Sequence, residues 1–355
     1  MQQNYHDSSV HLRSLAIAVP PFELSQRDVM TRAHHLFDGT AADDLARMLP
    51  VYGNAGIETR YSCVPPEWYE TPHGWAEKNR LYLDNATVLL ERAATEALDR
   101  ADLTPQDIGG IVAISTTGIA TPSLDALIIE RLNLPRTIER LPVFGLGCAG
   151  GVIGLARAAM LARLMPGKNV LFMVVELCGL TFRRADRSKS NVIATALFGD
   201  GAAAAVVSTE PEGPAIAHWG AHTWPGSLDV MGWSVEDDGL GVIFSRDIPT
   251  LTRTEFRSVL HDYLTAHALG LSDIDEFVCH PGGAKVLDAL EDAFELQHGG
   301  LDVSRGVLRD YGNMSAATVM FVLRRALDAG RPGRYLLSAL GPGFTAAFLT
   351  IEGAR

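Results

Sequence analysis

Hydrophobic residues along this chain come in continuous runs that are each about as long as a β-strand. The runs "NVLFMVVEL" (169–177) and "GDGAAAAVVS" (199–208) are followed later by "RYLLSALGPG" (334–343) and "FTAAFLTI" (344–351). Apolar runs without polar alternation are typical of strands that are covered by helices on both faces of a sheet. The pattern therefore predicts an α/β protein in which helices cover the strands.

An internal repeat accompanies these runs. The segment "LTPQDIGGIVAISTTGIATPSLDALIIERLNL" begins at Leu103, and "LSDIDEFVCHPGGAKVLDALEDAFEL" begins at Leu271. Each contains an acidic turn, a short strand, a proline-bearing loop and a helix with the sequence Asp-Ala-Leu. We therefore predict two similar α/β halves, residues 1–209 and residues 210–355, that meet face to face.

The repeat continues into two helix starts, where Gly147-Cys148 of the first half aligns with Gly312-Asn313 of the second. Cys148 lies among glycines, in "GLGCAGG", at the start of a mostly apolar helix. Unpaired N–H groups and the positive end of the helix dipole favour the thiolate form of a cysteine at such a position. Cys148 is therefore a candidate nucleophile, and the duplication predicts that Asn313 lies near it.

Composition narrows the classes of function. A chain of 355 residues with 47% hydrophobic residues can form a large core, and its formal net charge of −12 argues against a nucleic-acid partner. The four cysteines are scattered, without a C-x-x-C pair or a signal peptide, so we expect neither disulfides nor a zinc site, and a cytoplasmic location. Arg157 and Arg163 interrupt the apolar helix after Cys148, which predicts that no segment spans a membrane.

A histidine in the second half completes a candidate catalytic set. His280 ends a predicted strand and is followed by Pro281-Gly282-Gly283, a tight turn with room for a ligand. An imidazole beside a thiol can hold a thiolate–imidazolium pair that attacks a thioester. Donors from His280 and Asn313 could stabilise the enolate that forms when a malonyl thioester loses carbon dioxide. The alternatives are a histidine in an ordinary polar position and an asparagine that only caps its helix.

These motifs together resemble the type III polyketide synthases, the chalcone-synthase-like group of the thiolase superfamily. The resemblance runs from about Val10 to the last strand and rests on "GCAGG" (147–151), "ALFGDGAAA" (196–204), "HPGG" (280–283), "YGNMSAA" (311–317) and "GPGFT" (341–345), in this order. It implies a thiolase-like duplicated αβαβα fold of five layers and an acyltransferase that condenses acyl-CoA with malonyl-CoA by decarboxylation. It also implies a homodimer and, apart from the CoA thioesters themselves, no cofactor.

Several positions acquire roles through this resemblance. Cys148 would carry the acyl group, and His280 and Asn313 would assist its activation and the decarboxylation. Phe198 matches the gatekeeper phenylalanine between the CoA tunnel and the active site. Smaller residues stand at three positions that line the cavity in plant enzymes: Val242 at a second gatekeeper phenylalanine, Cys178 at a threonine, and Thr121 at the methionine that crosses the dimer interface.

These smaller residues imply an enlarged apolar cavity. The surrounding sequence is similar to bacterial members that take long fatty acyl starters and release alkylpyrones or alkylresorcinols; malonyl or aromatic CoA starters are the alternative. At the CoA end, basic residues of plant enzymes bind the nucleotide phosphates. Here that stretch keeps Arg47 and Arg60 but has Pro50 and Asn54 at positions that resemble basic ones. Lys285 is either a replacement for them or a solvated lysine at a helix start.

Three other classes of protein share parts of this pattern. A ketoacyl synthase III would use the same cysteine, histidine and asparagine for a single condensation, but "HPGG" and "GPG" argue against it. A cysteine hydrolase would need a G-x-C-x-G elbow, which Gly145-Leu146-Gly147-Cys148 does not provide. A non-catalytic acyl-CoA-binding protein would have no need for the three residues together.

Overall fold

The structure of the protein is a computed structural model that describes residues 9–37, 46–245 and 247–353. The strands are β1 (Val10–Ala18), β2 (Phe22–Ser25), β3 (Thr59–Ser62), β4 (Ile108–Ile114), β5 (Glu139–Val143), β6 (Asn169–Leu177), β7 (Asp200–Ser208), β8 (Ala215–Thr223), β9 (Met231–Glu236), β10 (Gly239–Phe244), β11 (Glu276–Cys279), β12 (Arg334–Gly341) and β13 (Thr345–Glu352). The helices are α1 (Gln26–Leu36), α2 (Pro50–Gly53), α3 (Trp75–Arg100), α4 (Leu124–Arg131), α5 (Gly150–Leu164), α6 (Lys189–Leu197), α7 (Ile248–Leu251), α8 (Arg257–Ala266), α9 (Ala284–Ala293), α10 (Asp302–Tyr311) and α11 (Thr318–Asp328).

Nine of these strands form one mixed sheet in the order β11-β12-β13-β8-β1-β7-β6-β4-β5. The order is duplicated, since β1, β7, β6 and β4 of the first half correspond to β8, β13, β12 and β11 of the second. The halves join where Val10 pairs with Ile216 and His11 with Ala215, between the antiparallel strands β1 and β8. Strand β5 pairs only with β4 among the described strands and forms one edge of the sheet. The predicted internal repeat is thus a repeat of strands and helices.

Alternate residues of the central strands face two different cores. In β6, Val170, Phe172 and Val174 pack on the helices between the halves, whereas Leu171 and Met173 pack on α3. Helices α5 and α11 form the central layer, α3 and α4 cover the first half, and α8 and α9 cover the second. Strands β6, β7, β12 and β13 are buried almost throughout, which is why their sequences show no polar alternation. This arrangement confirms the duplicated αβαβα fold of five layers.

Helix α5 passes through the centre of the molecule in close contact with its neighbours. The segment Gly147–Leu164 is long and apolar enough to cross a membrane by length and composition alone, despite Arg157 and Arg163. Most of the segment is buried inside the protein, as in the core helix of a globular protein. A Cβ at Gly154 would lie 2.5 Å from Ile114 Cγ1 and 2.7 Å from Phe172 Cε2, so glycine permits this close packing.

The two halves start their central helices in the same way, although not at the residues that the sequence alignment paired. The 3₁₀ turn Gly147–Ala149 leads into α5, and the 3₁₀ turn Ser315–Ala317 leads into α11. The first residues of the turns, Gly147 and Ser315, have φ of 46° and 47°, so Cys148 corresponds to Ala316, whereas Asn313 precedes its turn. The predicted match of Cys148 with Asn313 is therefore wrong by three residues.

Candidate active site

Cys148 lies in the 3₁₀ turn at the start of α5 and is half-buried. Gly147, which precedes it, has a φ of 46°, and a Cβ there would lie 2.5 Å from Pro342 Cδ. Only glycine fits such a position without strain. The Gly147 N–H donates to Thr116 Oγ1 at 3.1 Å, which fixes the turn. The Cys148 thiol lies 3.6 Å from Ser315 Oγ and therefore faces the second half.

His280 follows β11 and is held by its backbone. Its N–H donates to Ser338 O at 2.8 Å, and its carbonyl accepts from the Gly282 N–H at 3.1 Å. The ring is buried, and neither ring nitrogen has a hydrogen-bond partner among the described residues. Buried polar atoms normally have such a partner, so this imidazole is suited to bind a substrate or to exchange a proton.

Asn313 is fixed by both its backbone and its side chain. Its N–H donates to Leu197 O at 2.8 Å, and its carbonyl accepts from the Gly199 N–H at 3.0 Å, which ties it to the end of α6. The side-chain Oδ1 accepts from the Ser315 N–H at 2.8 Å, and Nδ2 donates to Gly282 O at 3.3 Å. These bonds orient the amide so that its donor end is next to the turn after His280.

The three candidate catalytic residues, Cys148, His280 and Asn313, line one cavity of about 500 Å³, which we call the cysteine cavity. Three cationic residues line the same cavity, namely Arg47, Lys189 and Lys285. Its described lining includes no aspartate or glutamate. The sequence identified Arg47 and Lys285, whereas no motif marked Lys189. A cationic cavity without carboxylates suits anionic ligands such as phosphates and carboxylates.

Burial disfavours the charged form of both the thiol and the imidazole when each ionises alone. It raises the pKa of Cys148 to about 12 and lowers the pKa of His280 to about 3. A thiolate in the cysteine cavity therefore needs an opposite charge beside it, such as the imidazolium that forms when the thiol proton moves to His280. The helix start alone does not provide the thiolate, and the thiolate–imidazolium pair stays a prediction.

A buried carboxyl group, Glu176 on β6, lies close to this site, although the sequence motifs contain no carboxylate. Its Oε2 accepts from the Thr116 N–H at 3.0 Å, and burial raises its pKa to about 8. In its protonated form it adds no negative charge at neutral pH, whereas in its ionised form it raises the pKa of Cys148. Sequence reasoning missed it, and the available signal was a single glutamate in the apolar run 169–177.

A second cavity, of about 380 Å³, has Cys178, Phe198 and Val242 in its lining, and we call it the apolar cavity. The Phe198 ring meets the ring of Phe244, which lines the cysteine cavity, with 5.7 Å between ring centroids. Trp233 packs on Phe198 at 6.1 Å. Phe198 and Phe244 therefore form an aromatic wall between the two cavities, and two other predicted substrate-binding residues, Cys178 and Val242, lie behind it.

Two residues lie away from the places that the sequence suggested. Arg60 is buried beside the apolar cavity, donates to backbone carbonyls, and does not line the cysteine cavity as Arg47 and Lys285 do. Thr121 is exposed and lines neither cavity of a single chain. Its predicted contact with substrate requires a second copy of the chain and stays a prediction.

Known proteins with both halves of this architecture match the chain. The sequence profiles of the N-terminal and C-terminal domains of chalcone and stilbene synthases match residues 71–211 and 220–353. A 1,3,6,8-tetrahydroxynaphthalene synthase of Streptomyces peucetius subsp. caesius is 37% identical over 98% of this chain and 94% of its own. A 3,5-dihydroxyphenylacetyl-CoA synthase of Amycolatopsis balhimycina is 30% identical over 85% of this chain and 84% of its own. The crystal structure of the 1,3,6,8-tetrahydroxynaphthalene synthase from Streptomyces coelicolor A3(2), a bacterial type III polyketide synthase, is 28% identical with a TM-score of 0.92, covering 97% of this chain and 99% of that one.

Proposed function

The chain belongs to the chalcone and stilbene synthase family and is a type III polyketide synthase, and we propose that it loads a fatty acyl group from CoA onto Cys148. It then extends this starter with malonyl-CoA and releases a cyclised product such as an alkylpyrone or alkylresorcinol. The reaction needs no cofactor besides the CoA thioesters, because every proton and charge in it can be handled by side chains of the cysteine cavity.

The first step transfers the acyl group to Cys148. His280 takes the thiol proton as the sulfur attacks the thioester carbonyl, and the imidazolium returns that proton to the departing CoA thiolate. The ring nitrogens of His280 support this role, because no described residue competes for them. The imidazolium compensates the thiolate as it forms, which offsets the cost of burying the charge.

The second step makes the nucleophile for extension. The malonyl group loses its carboxylate as carbon dioxide, and the electron pair of the broken bond forms an enolate on the thioester. Asn313 Nδ2 and a ring N–H of neutral His280 donate to the enolate oxygen. The enolate carbon then attacks the acyl thioester, and the Cys148 thiolate leaves. The absence of carboxylates from the described lining supports this step, because they would repel the enolate.

The cationic residues of the cysteine cavity support binding of the CoA phosphates. Lys189 and Lys285 are exposed, and so is Arg47, as expected for residues at the solvent end of a cavity. Lysine binds phosphate as a point charge, and arginine can bind it through two parallel hydrogen bonds. We propose that these three residues hold the nucleotide end of CoA while the thioester reaches Cys148.

The observation that carries the choice of a fatty acyl starter is the apolar cavity behind the aromatic wall. Leu24, Val29, Leu36, Phe182 and Val242 contribute apolar side chains to its lining, which also includes the charged residues Glu23, Asp28, Arg32 and Arg60. Its volume of about 380 Å³ is comparable to that of pockets that enclose small organic ligands. Each buried methylene is worth about 0.8 kcal/mol, or about fourfold in affinity, before the costs of ordering the chain.

A starter series tests this choice. We expect kcat/KM to rise with chain length from acetyl-CoA to long fatty acyl-CoA until the apolar cavity is full. Val242→Phe and Cys178→Phe should shift the optimum to shorter chains, because both side chains line that cavity. Val235→Phe is the matched control, since this valine of β9 is 81% exposed and the added ring would lie outside both cavities.

A malonyl starter is the outcome that would contradict the fatty acyl proposal. The 37% identity to a tetrahydroxynaphthalene synthase makes it the second candidate. Preference for malonyl-CoA, with no dependence on aliphatic chain length and no effect of Val242→Phe, would exclude a role of the apolar cavity in starter binding. The assignment to type III polyketide synthases does not depend on this result.

We also propose that the protein is a homodimer that forms through β5. This strand is an edge of the sheet, and nearby Leu141, Phe144 and Ile119 are 37%, 58% and 50% exposed. Unpaired edges and clustered apolar surface are typical of protein interfaces. Sedimentation should give twice the chain mass of 38.2 kDa, and Phe144→Asp should shift the protein to monomer. A monomeric parent at micromolar concentration would contradict the proposal.

A further inference from the structure

Arg60 is a buried cation whose hydrogen bonds converge on the end of one helix. Its side chain, on β3, is 3% exposed. The guanidinium donates to the carbonyl oxygens of Thr195 at 2.8 Å, Ala196 at 2.8 Å and Phe198 at 3.0 Å. No aspartate or glutamate among the described residues forms a salt bridge with it. Burial lowers its pKa to about 10, so it is still charged at neutral pH.

These carbonyls belong to the last turn of α6 and to the residue that follows it. The last carbonyls of a helix lack partners within the helix and carry the negative end of its dipole, so a cation there is stabilised. Gln26 holds the guanidinium in place, because its Oε1 accepts from Arg60 and its Nε2 donates to Ala196 O at 3.1 Å. Arg60 therefore caps α6 immediately before Phe198.

The aliphatic part of the Arg60 side chain lies between two glycines that flank the site. A Cβ at Gly199 would lie 3.3 Å from Arg60 Cβ, and a Cβ at Gly312 would lie 3.4 Å from it. Gly199 follows Phe198, and Gly312 precedes Asn313. The same backbone segments are joined by the hydrogen bonds between Asn313 and the end of α6. Arg60 thus lies where a wall residue of the first half meets a candidate catalytic residue of the second.

We propose that Arg60 is a positioning residue that fixes Phe198 and Asn313 relative to each other for the decarboxylation step. It acts through the backbone: it donates to Phe198 O, and Asn313 is hydrogen-bonded to Leu197 and Gly199 on either side of that residue. Loading of Cys148 depends on His280, so displacement of Phe198 and Asn313 should slow decarboxylation and leave loading largely unchanged. This inference rests on the proposed roles of Asn313 and His280.

The test compares two separate reactions in each variant: loss of carbon dioxide from malonyl-CoA, and acylation of Cys148 by an acyl-CoA. Arg60→Lys keeps the charge and removes the planar fork, so decarboxylation should fall by about 10- to 100-fold. Loading should change by less than about threefold. Gln26→Leu should give a smaller loss with the same selectivity, because it releases Arg60 without altering the site.

Arg13→Lys is the matched control. Arg13 is mostly buried, donates to Asn169 Oδ1 at 3.0 Å, pairs with Glu212, and lines neither cavity. The Arg13→Lys variant should have a lower melting temperature but an unchanged ratio of the decarboxylation rate to the rate of Cys148 acylation. The positioning role would be overturned if Arg60→Lys and Gln26→Leu lost both reactions equally, or lost activity only in proportion to their lowered stability. It would also be overturned if both variants failed to fold. If Asn313→Ala keeps the full rate of decarboxylation, the proposed catalytic role of Asn313 is wrong, and the positioning role of Arg60 that rests on it is wrong as well.

Discussion

Replacement of Cys148 by alanine should abolish acyl transfer, with turnover falling by about 10⁴-fold or more, because the chain loses the atom that carries the acyl group. Burial raises the pKa of all four thiols, Cys63, Cys178 and Cys279 included. Cys148 differs in that it shares its cavity with His280, which can take the thiol proton. After incubation with an acyl-CoA and digestion, mass spectrometry should find the acyl group on the peptide that contains Cys148.

Cys178→Ala is the control for this experiment. Cys178 lines the apolar cavity and would lie beside the acyl chain, but the described lining of that cavity contains no histidine to accept a proton. The variant should therefore become acylated at the parent rate with a short starter. An acyl mass on Cys63, Cys178 or Cys279 in the parent would show that the nucleophile is assigned to the wrong thiol.

The duplicated architecture could be predicted because the four strands with continuous apolar runs, β6, β7, β12 and β13, are covered on both faces. The run 169–177 is apolar throughout since its alternate residues face two cores, and the two segments that begin at Leu103 and Leu271 build the same strand–loop–helix unit. A repeat of this kind also predicts that Cys148 and the residues around Asn313 approach each other. The alignment slipped by three residues because the turn before α11 follows Asn313, and turn positions are set by local backbone geometry that composition does not reveal.

The division of the site into two cavities could not be predicted. Val242 and Phe244 are separated by one residue on β10, yet Val242 lines the apolar cavity and Phe244 lines the cysteine cavity. The difference comes from Phe198, which packs on this hairpin from another part of the chain. Which cavity a side chain lines therefore depends on tertiary contacts.

Buried charged residues were the other feature of the site that could not be predicted from the sequence. Charged residues are usually exposed, so the sequence offers no reason to place Arg60 inside the protein, and for Glu176 it offers only the apolar run 169–177 around it. Arg60 was expected near phosphates because it lies in the stretch whose basic residues bind the CoA phosphates in plant enzymes, but its partners are carbonyls more than a hundred residues away in the chain. Glu176 had no motif at all. Both residues became interpretable only through their hydrogen-bond partners.

Asn313→Ala should lower malonyl-CoA decarboxylation by about 10²- to 10³-fold, the effect of removing one donor to a developing oxyanion. Acyl loading of Cys148 should change by less than about threefold, because Asn313 is proposed to serve the enolate alone. The alanine also leaves the Ser315 N–H without the Oδ1 acceptor at 2.8 Å. Asn313→Asp keeps the Oδ1 acceptor for the Ser315 N–H but replaces the donor with a carboxylate, which would also repel the enolate. Decarboxylation should therefore be lost in both variants.

His280→Ala should impair both reactions, because the imidazole accepts the thiol proton during loading and donates to the enolate during decarboxylation. Its pKa of about 3 keeps it neutral through the physiological range, so a single form can perform both tasks without prior titration. The rate of thiol alkylation measures the first task directly: at neutral pH it should fall in His280→Ala and stay near the parent value in Asn313→Ala. Equal loss of loading in the two variants, or unchanged alkylation in His280→Ala, would contradict this division of labour and would mean that the Cys148 thiolate is stabilised by a group other than the imidazole.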